Sequence, residues 1–575
     1  MFSTTWKTSE KKYNVIIERD IRIPVSDGIE ISADIFRPDI NETFPAILGM
    51  HPFPQQPQAA PIKPNSFSSW QFLHPQEERA RGWLEAGDSN FFVRRGYVHI
   101  IANVRGTNKS GGKYQWLGPR EVQDVYEVIE WIAKQEWCSG KVGMFGVSYF
   151  AMIQIAVAGI TPPSLKCLFA PWAFTDYYRD AYYHGGILRH GRAVGLPHEL
   201  GNPRFESLTR GSLGDEKFRE AIDEALKDED ITNVPKLVEI LRKPDEGFNC
   251  LPADMLLNPL YGPFWEERTP NYKNIKIPAY IGSCWGNYGL HLPGAFRSWE
   301  NLNVPKKMII APPVYLDRPL CQLQYESLRW FDYWLKGIDT GIIDEPPIRL
   351  FVMGTNQWKE AEAWPLPETK WTPFYLHEDK LLCEHEHWPN EGSDSFEDSP
   401  WHRGSLEYYS PFLVEDTEVI GPIVLNLYAS TTDNEVFWII SLKEVDQQGN
   451  EKILTRGWLR GTHREVDPER SKPWFPFHPH TKSEALTPGK IYEFNIPIVP
   501  TGNLFKAGSK IGLKISSVDD EPKNAIEAIA GGHLRRHSSS RITVYHDADH
   551  PSHLLLPITK GNILGTFLSG GKPYV

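Results

Sequence analysis

Apolar and polar positions follow two different rhythms along this chain, and the change between them divides it. Through residue 345, short apolar runs alternate with stretches of helical spacing. Residues 14–24 read as extended, Ser26-Asp27-Gly28 as a turn and residues 29–37 as a return, so a hairpin opens the chain. Apolar strands are predicted over 44–50 and 98–104. From Glu121, the apolar residues Val122, Val125, Val128, Ile129 and Ile132 recur at the spacing of one helix face. A short strand over 142–145 follows, then a turn at Gly146 and Ser148, then an apolar helix through Met152 to Val157. Strands over 166–172, 277–283 and 307–311 continue the series. It ends in a helix carrying Leu323, Leu328, Trp330, Phe331 and Trp334, closed by Gly337 as a C-cap. Strand, helix, strand in this order is the pattern of a parallel sheet with crossover helices.

Two stretches break the rhythm. Residues 55–88 are rich in Pro, Gln and Trp without a clean period and read as a long loop near the site mouth. Residues 176–270 are rich in Tyr, His and charge. They contain the segments KFREAIDEALKDEDI and VPKLVEILR, both amphipathic at helical spacing. Helices inserted after a core strand predict a cap over a pocket. From residue 346 onward, short apolar or alternating runs at 348–352, 374–376, 419–429, 436–445, 491–498, 511–517 and 541–545 are separated by Gly, Pro, Asp and Asn. Many short strands with little helical pattern predict a β-sandwich of jelly-roll type.

Composition narrows the function class. The chain has 575 residues, 41% hydrophobic and 12% aromatic, which is ample for more than one buried core. Its net charge of −12 carries no basic block, which argues against a nucleic-acid partner. Cys138, Cys167, Cys250, Cys284, Cys321 and Cys383 form no CxxC pair and read as buried thiols of a reducing compartment. The N-terminal segment lacks an apolar signal core, and no run of about 18 apolar residues occurs, so a cytoplasmic protein without a membrane partner is expected. The histidines at 478, 480, 533, 537, 546, 550 and 553 fit no fixed metal spacing, and neither a metal nor a cofactor is predicted. A homo-oligomer is left open.

The stretch VGMFGVSYFAMIQIAVAGI, residues 142–160, is the one with chemistry in it. A strand, a sharp turn and a buried helix present a nucleophile as an α/β-hydrolase does, because the bend lifts the Ser oxygen above the sheet edge and points helix N–H groups at a developing oxyanion. Ser148 is the candidate nucleophile and the backbone N–H of Tyr149 a candidate oxyanion donor. The usual second glycine of the motif is replaced by Phe150, with Ala151 one place on. Gly146-x-Ser148-Tyr149-x-Ala151, RGYVHIIANVRGTNKSGG and IEWIAKQEWCSGKVGMFGVSYF resemble the cocaine esterase and X-prolyl dipeptidyl-peptidase group of serine hydrolases. The runs GPIVLNLYAS, LTRGWLRGT and PSHLLLPI resemble strands of that group's C-terminal domain. The resemblance implies an α/β fold: an α/β-hydrolase domain over 1–175 and 271–345, a helical cap over 176–270 and a jelly-roll β-sandwich over 346–575. The substrate it implies is a small-molecule ester or amide.

Several family positions are altered. Asn103 stands where an Asp is usual. The tyrosine whose hydroxyl helps hold the oxyanion in the family corresponds to Phe53, preceded by Pro52 and His51, so His51 becomes a second candidate oxyanion donor. An activated serine needs a base and a group that orients it. The family's Asp follows the 277–283 strand in a Trp-x-Asp context, where this chain reads Trp285-Gly286-Asn287. Its His follows the next strand, but no His occurs between His291 and His377. Asn287 with His291, four residues on in the same loop, is the predicted substitute. His291 as the cap of a helix starting near Pro293 is the structural alternative. His51, His184, His190, His198 and Asp317 are further candidates for the base. The aromatic residues Trp116, Trp172, Tyr177, Tyr178, Tyr182 and Tyr183 line a pocket or fill a core. The competing reading is a hydrolase-fold protein without ordinary hydrolytic activity, which binds a ligand or templates another reaction.

Overall fold

The computed structural model describes residues 6–54, 83–313, 318–385 and 391–562. A ten-stranded sheet forms the first layer. Its strands are β1 (Val15–Pro24), β2 (Glu30–Pro38), β3 (Phe44–His51), β4 (Val98–Asn103), β5 (Cys138–Phe145), β6 (Leu165–Pro171), β7 (Ala279–Cys284), β8 (Lys306–Ala311), β9 (Ile348–Val352) and β10 (Gln357–Ala361), in the spatial order 1-2-4-3-5-6-7-8-9-10. The strands from β4 across to β9 are parallel, while β1, β2 and β10 run antiparallel at the edges. The middle strands are buried throughout: every residue of β3, β4 and β7 is covered, as a sheet packed on both faces requires. The helices α1 (Pro119–Ala133), α2 (Tyr149–Ala158), α3 (Leu292–Asn301) and α4 (Arg318–Lys336) cover it.

The helical insertion is present between β6 and β7, with helices at Asp215–Ala225, Glu229–Thr232 and Pro235–Arg242 over the amphipathic segments. A twelve-stranded sheet system makes up the C-terminal β-sandwich. One boundary moves. The run at 348–352, assigned from sequence to the sandwich, joins the first sheet instead: Met308, Ile309 and Ile310 pair in parallel with Ile348, Arg349 and Leu350, and β10 closes the edge. A five-residue apolar run carries no mark of which sheet it will join; the preceding α4 returns it to the β8 edge as a crossover. The proposed mouth loop lies largely outside the described residues, as do Asp317 and the side chains of His198 and Cys321.

Candidate active site

The bend after β5 is built by two unusual backbones. Gly146 has φ of 143°, and a Cβ there would lie 2.4 Å from Cβ of Phe150, so only glycine fits. Ser148, with φ 57° and ψ −125°, is held in a conformation that L-residues rarely adopt. What holds it is α2, whose residues are buried on nearly every side, and the hydrogen bond from Val147 N–H to the Glu85 carbonyl at 3.0 Å. As the first residue of α2, Tyr149 has a backbone N–H without an acceptor inside the helix, directly beside Ser148. Burial, with Glu199 nearby, pushes the Glu85 carboxyl to about 8, so it is protonated at neutral pH.

His291 comes to Ser148 from the other side. Its Nε2 lies 3.3 Å from Ser148 Oγ. It is also the N-cap residue of α3, so the capping position and the approach to Ser148 coincide. Its Nδ1 lies 3.0 Å from Nδ2 of the fully buried Asn287. The Asn287 Oδ1 makes no hydrogen bond among the described residues. As placed, the amide donates to Nδ1 and so leaves the ring proton on Nε2. The amide's two ends are nearly equal in size, and half a turn offers Oδ1 to an Nδ1–H and leaves the Nε2 lone pair facing Ser148. Burial first, then the cationic neighbours Arg192 and Arg189, lowers the His291 imidazole to about 3. The ring is therefore neutral at pH 7.

The loop carrying both residues is pinned. Arg297 of α3 makes a two-pronged ion pair with the buried Asp180, at 2.5 and 2.8 Å. Arg189 donates to the Gly289 carbonyl at 3.1 Å and to that of Gly531 in the C-terminal domain at 2.9 Å. A Cβ at Gly289 would lie 2.3 Å from the Cα of Ala530.

The other candidates lie as follows. His51 ends β3, is buried, stacks on Phe150 at 4.8 Å and has its Nε2 3.2 Å from Asn103 Nδ2. Asn103 thus faces an imidazole across paired strands, where an amide can donate. Phe53 sits edge-on to Tyr149 at 6.2 Å. His184 is engaged elsewhere, with Nδ1 3.0 Å from His533 Nε2 and Nε2 3.0 Å from the Asp180 carbonyl. Of the aromatic residues, Tyr178 and Tyr183 stack on each other and donate to the carbonyls of Pro259 and Met255, which makes them cap structure. Trp116 packs against Tyr149 at 5.5 Å and Tyr177 at 6.4 Å, Tyr177 against Phe174 at 4.9 Å, and Phe174 against His291 at 5.5 Å, so a wall of rings encloses the site. The Asp180–Arg297 pair was not singled out from sequence, because nothing local links a cap aspartate to a helix residue so far along the chain. Among the described residues no cluster of His, Cys, Asp and Glu could hold a metal ion, and no helix is long and apolar enough to cross a membrane.

Known proteins place this arrangement in a family. The X-Pro dipeptidyl-peptidase (S15 family) profile matches residues 27–314, and the X-Pro dipeptidyl-peptidase C-terminal non-catalytic domain matches residues 340–555. The chain belongs to the S15 family. This S15 member is a serine hydrolase of the kind that cleaves ester or amide bonds. It is 25% identical to the cocaine esterase of Rhodococcus sp. (strain MB1 Bresler) over 95% of this chain and 99% of that one. It is 26% identical to a putative Xaa-Pro dipeptidyl-peptidase of Bacillus anthracis, over 85% of this chain and 80% of that one. The fold is shared with a CocE/NonD family hydrolase from Staphylococcus aureus (TM-score 0.78, 24% identity, 95% and 94% of the two chains). It is also shared with an α-amino acid ester hydrolase (TM-score 0.70, 17% identity, 97% and 98% of the two chains).

Proposed function

We propose that this S15 hydrolase cleaves small esters through an acyl-enzyme on Ser148, with His291 as the base and Asn287 as its orienting partner. The carrying observation is the Asn287–His291–Ser148 series at 3.0 and 3.3 Å. In the productive arrangement Asn287 Oδ1 accepts from His291 Nδ1–H. His291 Nε2 takes the Ser148 proton as Oγ bonds to the substrate carbonyl carbon. The negative charge that develops on the carbonyl oxygen faces the Tyr149 N–H. Collapse breaks the bond to the alkoxide or amine, which leaves with the proton from His291. Water, deprotonated by the same imidazole, then releases the acid and restores Ser148.

Asn287 orients the ring but cannot neutralise imidazolium, so esters, with their better leaving groups, are favoured over amides. In this reading His51, stacked on Phe150 and within hydrogen-bond distance of Asn103, is the second oxyanion donor. Labelling by a fluorophosphonate probe tests it. Robust labelling in the parent protein, lost in Ser148→Ala and slowed at least about a hundredfold in His291→Ala, is expected. Absence of labelling in the parent favours a hydrolase fold used as a binding template, and a parental rate in His291→Ala removes His291 from the mechanism.

A further inference from the structure

Beside the ring wall lies a group of polar atoms that the reaction above does not use. Tyr114, Trp116, Glu121 and Tyr182 are 0%, 2%, 0% and 0% exposed. The Tyr114 hydroxyl, Trp116 Nε1, Glu121 Oε1 and Tyr182 hydroxyl make no hydrogen bond among the described residues. Buried donors left without partners cost roughly 1–3 kcal/mol each, so four in one place call for an occupant. They do belong to one place. Tyr114 and Trp116 meet at 6.1 Å, and Trp116 spans to Tyr149 and Tyr177. The Tyr114 phenol interacts electrostatically with Glu121, Tyr182 and Tyr177, and the Tyr177 phenol with Glu121, Tyr182 and Arg268.

The chemistry of this group is donor-rich. Trp116 can only donate, and each phenol has a proton to give. Burial holds the Glu121 carboxyl above its usual range, while its Oε2 accepts from Leu117 N–H at 3.1 Å. Behind them the buried Arg268 donates to the carbonyls of Trp116, Phe264 and Gln115, with the carboxyls of Asp254 and Glu267 acting on its charge. Trp116 packs at 5.5 Å on Tyr149, the residue after Ser148, which sets this group beside the nucleophile.

From this placement, and resting on the ester-cleaving reading above, we infer that the Tyr114–Trp116–Tyr182–Glu121 hollow is an acyl subsite selecting acyl chains that carry an oxygen substituent, a keto or hydroxyl group, over plain hydrocarbon chains. The test is a matched pair of 4-nitrophenyl esters, the 4-oxopentanoate and the pentanoate, which differ by a keto oxygen on one carbon. The ratio of kcat/KM is expected to favour the oxo ester by at least about tenfold, and Tyr114→Phe with Tyr182→Phe to bring that ratio close to one. A ratio near one in the parent protein, or one untouched by the double substitution, overturns the inference and leaves a hollow that holds water only. Should neither ester turn over, the Ser148 mechanism fails by itself. The subsite is then judged by ligand-observed NMR titration of methyl 4-oxopentanoate against methyl pentanoate: at least about tenfold tighter binding of the oxo ester is expected, and equal binding refutes it.

Discussion

Asn287→Asp is the sharpest test of how this site works. The side chain lies 3.0 Å from His291 Nδ1 in a fully buried position, so a carboxylate there faces the imidazole directly. Taking a charge separation of ~4 Å and an effective dielectric constant of ~20, the attraction between carboxylate and imidazolium is ~4 kcal/mol. That is worth about three pH units and would lift His291 from about 3 to about 6. The same charge stabilises the imidazolium formed in the transition state, with a ceiling of about a thousandfold in rate. Desolvation of the new carboxylate takes part of this, so a gain of about ten- to a hundredfold at pH 7 is expected. The pH profile carries the second signature. Because kcat/KM needs a neutral ring, the parent enzyme should stay flat down to about pH 4, whereas Asn287→Asp should lose activity below about pH 6. Steady-state hydrolysis of 4-nitrophenyl acetate across pH, with thermal melting to confirm the fold, gives both. An unchanged rate with a flat profile in a natively melting variant would refute His291 as the base.

Three further outcomes follow from the structure. His99, His291 and His463 are all held near 3 by burial, so they stay neutral in the folded protein and take up protons on unfolding below about 6.5. Their contribution is fully present above that pH and is lost as pH falls toward 3, at about 4 kcal/mol per pH unit for the three; a His99→Gln, His463→Gln variant whose urea midpoint shifts between pH 7 and pH 5 as much as the parent's does would contradict it. Gly289→Ala puts a methyl 2.3 Å from the Ala530 backbone and should lower stability by roughly 1–3 kcal/mol and displace His291, while Gly195→Ala, which meets nothing within 4 Å, should do neither. Melting temperature and kcat measured together decide between those. Phe53→Tyr adds a hydroxyl beside Tyr149 and should raise kcat by about tenfold if the oxyanion wall lacks a donor there; no gain would place the ring away from the reacting carbonyl.

How much of this was legible in the sequence depends on how local each signal is. The elbow at Ser148 is written in consecutive residues, with an apolar strand, Gly146 at a conformation few residues tolerate, and an apolar helix. The nearness of Asn287 to His291 was readable for the same reason, the two being four residues apart in the stretch that leads into one helix. The β9 strand was assigned to the wrong sheet because pairing partner is a tertiary property, and an apolar pentapeptide suits either sheet. The acyl hollow was legible only in part. Tyr182 and Trp116 announced themselves as aromatic residues, but Tyr114 lies in a Gly-rich loop and Glu121 at the start of a helical pattern, and only the folded cap brings their polar atoms together without partners.

The wedge of Ala530 under Gly289, with Arg189 bridging Gly289 to Gly531, gives the C-terminal domain a share in placing the imidazole. Its presence steadies the loop that carries His291 by direct contact. Chimeras assembled from relatives of this enzyme therefore need the Arg189 segment, the Asn287–His291 loop and the short helix Ala525–Ala530 taken from one parent, since a mismatch at that joint would disarm a serine left otherwise untouched.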